Sequence, residues 1–94
     1  MGVGAMFGSL FQRLRFTLFP PDVVVDIEAG EPVPRRGKVK RGFLEDCSEI
    51  ARDYGIRNGR ICGNRQHGQI ALRFSRSIPP AAHQRLRNAW HFHR

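Results

Sequence analysis

The chain has 94 residues, with 16 Lys/Arg against 8 Asp/Glu and a formal net charge of +8, a length that makes one domain with a modest core and leaves no room for a cleft between lobes. The charge favours phosphate-rich or anionic-membrane partners, and it is uneven: every acid lies at or before Asp53, while everything after Asp53 carries eight arginines and no acid. Two cysteines, Cys47 and Cys62, are too few for a disulfide framework, and without a cleavable signal the expected setting is a reducing cytoplasm.

Residues 1–19, "MGVGAMFGSLFQRLRFTLF", place Val3, Met6, Phe7, Leu10, Phe11, Leu14 and Leu18 at helical spacing. Gln12, Arg13 and Arg15 interrupt them, so the run falls short of the roughly 20 apolar residues a membrane span needs. The pattern predicts an amphipathic helix lying in a membrane interface. Met6, Phe7, Leu10, Phe11 and Leu14 would meet lipid, and Arg13 and Arg15 the headgroups. A helix docked on the domain and a disordered leader are the alternatives, since Gly2, Gly4 and Gly8 weaken a helix. Pro20-Pro21 then act as a short stiff linker to a small basic α+β domain over 22–94.

Within that domain, Val23, Val25 and Ile27 alternate with Val24, Asp26 and Glu28, which predicts a half-buried strand over 22–28. A turn at Ala29-Gly30-Glu31 leads to a second strand around 32–39. Its two prolines and the basic run Arg35, Arg36, Lys38, Lys40 and Arg41 mark it as a sheet edge. Phe43, Leu44, Cys47, Ile50, Ala51 and Tyr54 form one helical stripe, with Gly55 as the cap. Glu45, Asp46, Glu49 and Asp53 make the opposite, solvated face, and Glu45 and Asp46 are expected near the helix N-terminus, where its dipole favours acids. A second hairpin turns near 64–68, with Ile61, Ile70, Leu72 and Phe74 on its buried face. Pro79-Pro80 open a last helix whose stripe is Ala82, Leu86, Ala89 and Trp90. The predicted fold is therefore α+β in the order ββαββα. It is a four-stranded antiparallel sheet with two helices on one face, preceded by the N-terminal amphipathic helix.

Phe43-Leu44-Glu45-Asp46-Cys47, Leu72-Arg73-Phe74-Ser75, Ile78-Pro79 and Gln84-Arg85-Leu86-Arg87-Asn88 together resemble a family of small bacterial proteins of unknown function. Its members carry an N-terminal membrane segment ahead of a compact α+β domain of about 75 residues. The resemblance covers roughly 23–88. It implies the fold and a membrane-proximal start, and it carries over no catalytic or binding residue.

Few side chains promise chemistry. His91 and His93 offer two metal ligands, with Cys62, His67 or His83 as further candidates, but no CxxC or HxxxH spacing supports a site. Frayed, solvated histidines are the expectation. Cys47 falls on a buried stripe, where a thiolate is disfavoured, whereas arginines beside Cys62 are expected to lower its pKa. No phosphate-binding glycine loop is present, so neither an enzyme nor a cofactor is expected. The basic surface remains. Arg60 and Arg73 should stand on the open sheet face, Arg57, Arg65 and Arg76 at strand ends, and Arg85, Arg87 and Arg94 on the outer side of the last helix. Arg57, Arg60, Arg65, Arg73, Arg76, Arg85 and Arg87 form the candidate polyanion surface. That face lacks the aromatics on which RNA modules stack bases. The expected partner is an anionic membrane surface, with the protein cytoplasmic and peripheral at the inner membrane. Sequence-nonspecific nucleic-acid binding and a protein-interaction adaptor are the alternatives.

Overall fold

In a computed structural model, which describes residues 20–94, the most apolar strand lies inside the sheet. This is β1 (Val23–Glu28), which pairs with β2 (Glu31–Arg36) on one side and β3 (Asn58–Gln66) on the other. With β4 (Gln69–Phe74) beside β3, the strand order is β2-β1-β3-β4, antiparallel throughout. Between β2 and β3 runs α1 (Arg41–Tyr54), and α2 (Pro80–His93) follows β4. The expected order ββαββα and the four-stranded antiparallel sheet are both present. The amphipathic segment at 1–19, including Met6, Phe7, Leu10, Phe11, Leu14, Arg13 and Arg15, lies outside the described residues.

Both hairpins close on two residues, Ala29-Gly30 and His67-Gly68, and all four have positive φ. That is the geometry whose twist matches the flanking strands, and glycine at the second position makes it easy to adopt. The first turn is thus one residue tighter than expected, with Glu31 already in β2. β2 also ends at Arg36 rather than Val39. Gly37 turns left-handed there (φ 79°), lying against the Asp22 carbonyl where a Cβ would not fit. The edge position holds as expected, with Pro32 and Pro34 opposite Ile27 and Val25.

One apolar cluster joins sheet to helices. Val23, Val25, Ile27, Ile61 and Leu72 come from alternating strand positions and meet Phe43, Cys47 and Ile50 of α1 and Ala82, Leu86 and Trp90 of α2. The two helical stripes are those read from the sequence. Phe43 meets Trp90 edge-on, with ring centroids 5.2 Å apart. Two glycines leave room for neighbouring side chains: a Cβ on Gly59 would lie 2.7 Å from Ile78, and one on Gly63 2.6 Å from Ile70. Gly55 caps α1 in the left-handed conformation (φ 65°), donating its N–H to the Ala51 and Arg52 carbonyls. One expectation is corrected at the other end. α1 begins at Arg41, so its first turn holds no acid, and Glu45 and Asp46 sit too deep to serve the helix dipole. No helix among the described residues is long and apolar enough to cross a membrane.

Candidate functional site

The sheet face turned away from the core carries a charged row. Asp26 of β1 faces Arg60 of β3, and its carboxylate accepts two hydrogen bonds, from Nε at 2.6 Å and from Nη2 at 3.0 Å. A bulge in β2 supplies the third member. Val24 pairs with Arg36 but Val25 with Pro34, leaving Arg35 as an extra residue. Such bulges re-aim side chains, and Arg35 here reaches Asp26 through Nε at 3.3 Å and also pairs with Glu28. Hydrogen bonding from Arg60 holds the Asp26 carboxyl below its ordinary value, with partial burial opposing.

Arg60 is therefore engaged by the fold. So is Arg85, which pairs with Asp53 at 2.9 Å and lies over the Tyr54 ring, while Arg87 lies over Phe74. Arg57, Arg65, Arg73 and Arg76 are exposed and pair with no carboxylate among the described residues. The candidate arginines do not form one patch: the strands carry Arg60 and Arg73 on the open face, and Arg57, Arg65 and Arg76 at separate strand ends.

The thiols divide by face. Cys47 is fully buried, and desolvation, helped by Asp46, pushes its pKa up to about 12. Cys62 lies on the open side beside Val24 and Arg73. Its pKa is raised, not lowered as expected, because burial outweighs the pull of Arg60 and Arg73. Both are free, and the sheet lies between them.

His67 and His91 are exposed, as expected, but His83 and His93 are held in place. His93, still within α2, shares a 2.8 Å hydrogen bond with Asp46 of α1 and packs its ring against Gly42. His83 stacks on Phe74 at 4.3 Å and donates Nε2–H to the Ile78 carbonyl at 3.1 Å. Among the described residues no cluster of His, Cys, Asp or Glu is arranged to hold a metal ion.

A groove of about 530 Å³ runs between the β3–β4 turn and α2. Ile70, Leu72 and Trp90 give it apolar walls, His67, His91 and Arg87 stand around it, and no carboxylate among the described residues lines it. Sequence reading did not reveal this groove, because it joins a turn to a helix some twenty residues later, with no local pattern linking them. A family model described as "Protein of unknown function (DUF3634)" matches residues 5–94. No curated protein and no solved structure matches the chain.

Proposed function

The chain belongs to this family, and we propose that it is a non-enzymatic basic module that associates with a membrane surface through anionic lipid. The observation that carries this reading is the set of exposed arginines without a carboxylate partner among the described residues, Arg57, Arg65, Arg73 and Arg76. They come from the acid-free part of a chain with net charge +8. Unpaired cations at a surface are drawn to anionic lipid by about 1 kcal/mol each within a Debye length. Residues 1–19 supply the apolar stripe that attraction alone lacks, and charge plus buried apolar area is what holds an interfacial helix. Neither thiol is primed as a nucleophile, which supports a binding rather than a catalytic role. The setting that fits is the cytoplasmic face of the inner membrane.

Nucleic acid is the second reading, favoured by Arg73 standing exposed on the open sheet face. Sedimentation with anionic and neutral vesicles, on the full chain and on residues 20–94, separates the two. The lipid reading predicts that the full chain pellets with anionic vesicles in a salt-sensitive way and that residues 20–94 pellet far less. Failure of the full chain to pellet, together with retention of duplex RNA by residues 20–94, would replace it with the nucleic-acid reading.

A further inference from the structure

The two edges of the sheet are guarded unequally. β2 carries Pro32 and Pro34 and is bent by the bulge at Arg35, devices that keep an edge strand from pairing further. β4 has no proline and runs beside β3 through six consecutive pairs without a bulge. Its one charged side chain, Arg73, stands exposed on the open face.

The phase of the β3–β4 ladder fixes which backbone groups this edge presents. In an antiparallel pair, residues that exchange two hydrogen bonds alternate with residues that exchange none. The Ser75 N–H donates to the Arg60 carbonyl at 2.9 Å, and Gln69, which closes the two-residue turn opposite Gln66, is in phase with it. Gln69, Ala71 and Arg73 therefore bond to β3, while the N–H and C=O groups of Ile70, Leu72 and Phe74 point away from it. No backbone group among the described residues takes these up. The side chains of the same three residues turn to the helix-covered side, where Leu72 joins the core and Ile70 and Phe74 pack against it.

The groove described above has Gln69–Leu72 as its strand wall and Arg87, Trp90 and His91 as its helix wall. Arg87, His67 and His91 are exposed around it. The acids nearest α2 stand on its other flank. There Asp46 and Glu49 line a separate hollow with Arg85, Asn88 and Phe92, Asp46 bonding to His93 and Asp53 to Arg85. Asp22 lies beyond β3, where its carboxylate accepts the Arg65 N–H. An occupant of the groove therefore meets apolar walls and positive charge.

We infer that β4 is a docking edge for an extended acidic segment of a partner protein, added to the sheet as a fifth strand. The segment's backbone takes up the outward groups of Ile70, Leu72 and Phe74. Its alternate side chains, apolar and carboxylate in turn, lie on Ile70 and Trp90 and against Arg87 and His91. A second copy of this chain would set Arg87 and His91 against their own kind. Residues 1–19 hold two arginines and no acid, so neither occupant matches the groove in charge. The inference uses groups other than the arginines of the lipid reading and stands or falls apart from it.

The test takes the full chain, isotopically labelled for NMR, and two short blocked peptides with threonine at every second position. Between the threonines, one peptide alternates valine with glutamate and the other valine with lysine. With the glutamate peptide at about ten times its Kd, hydrogen exchange at the Ile70, Leu72 and Phe74 amides should slow about tenfold. The lysine peptide should leave them unchanged. Ile70→Pro removes one outward donor and spares the β3 ladder, and it should weaken the glutamate peptide about tenfold. Arg87→Gln, a change at an exposed side chain, should do the same, and it decides the matter if the proline variant does not fold. Equal binding of the two peptides, no binding of the glutamate peptide, or unchanged binding to Arg87→Gln overturns the inference. So does protection of the three amides in the chain alone, whether lost on dilution, when a second copy covers the edge, or kept, when the chain covers its own.

Discussion

On the helix-covered face of the sheet, Val25, Ile27 and Ile61 lose nearly all contact with water. On the open face, Asp26, Arg60 and Arg35 close a charged row across three strands. The first face is held by volume: apolar side chains interdigitate, and Gly59 and Gly63 leave the space for Ile78 and Ile70. The second is held by charge-assisted hydrogen bonds around one carboxylate. The difference bears on function. An arginine facing solvent on the open side is not thereby available to a ligand, because Asp26 engages two of them. Net charge therefore overstates what this face offers, and the unanswered cations gather where the strands and helices end.

The comparison breaks most readily from the covered side. Phe43→Ala removes a fully buried ring that packs on Trp90 and should cost about 3–5 kcal/mol in urea unfolding. Gly63→Ala adds a methyl where Ile70, Val23 and Leu72 already stand, and should cost about 1–3 kcal/mol. A loss under 0.5 kcal/mol, the usual size of a surface change, would mean that this face packs more loosely than described.

On the open side, Asp26→Asn should cost about 1–2 kcal/mol, below a fully buried pair because Arg60 and Arg35 can turn to water. It also carries a pH signature. Hydrogen bonds from Arg60 and Arg35 hold the folded-state pKa of Asp26 below the ordinary carboxylate value, so its contribution is complete above the ordinary value and is lost as pH falls through the lower folded one. Acid titration of stability should lose that component in Asp26→Asn. Smaller still is the change expected of Arg85→Ala. Its partner Asp53 is equally exposed, so thermal unfolding should be nearly unmoved.

What could be read along the chain was whatever repeats locally. The stripes Phe43–Cys47–Ile50 and Ala82–Leu86–Trp90, the Gly55 cap and the Pro80 start each lie within a few residues of their own cause. Arg60 and Asp26 are 34 positions apart and His93 and Asp46 47. Their meeting depends on strand register and helix packing, which no local pattern encodes. The bulge at Arg35 is likewise invisible until β1 and β2 are paired. For the same reason, sequence order grouped the arginines after Asp53, whereas the fold also brings Lys38, Lys40 and Arg41 to the start of β1.

On the reading proposed above, paired arginines serve the fold while unpaired cations serve the membrane. Two full-length variants test it side by side, Arg60→Gln and the pair Lys40→Gln with Arg41→Gln, each measured for thermal stability and for binding to anionic vesicles. The account predicts that Arg60→Gln lowers the melting temperature and leaves vesicle binding intact. It predicts that the Lys40 and Arg41 double variant melts as the parent does and binds roughly 30-fold more weakly. Equal loss of vesicle binding in both, or loss in Arg60→Gln alone, would contradict it.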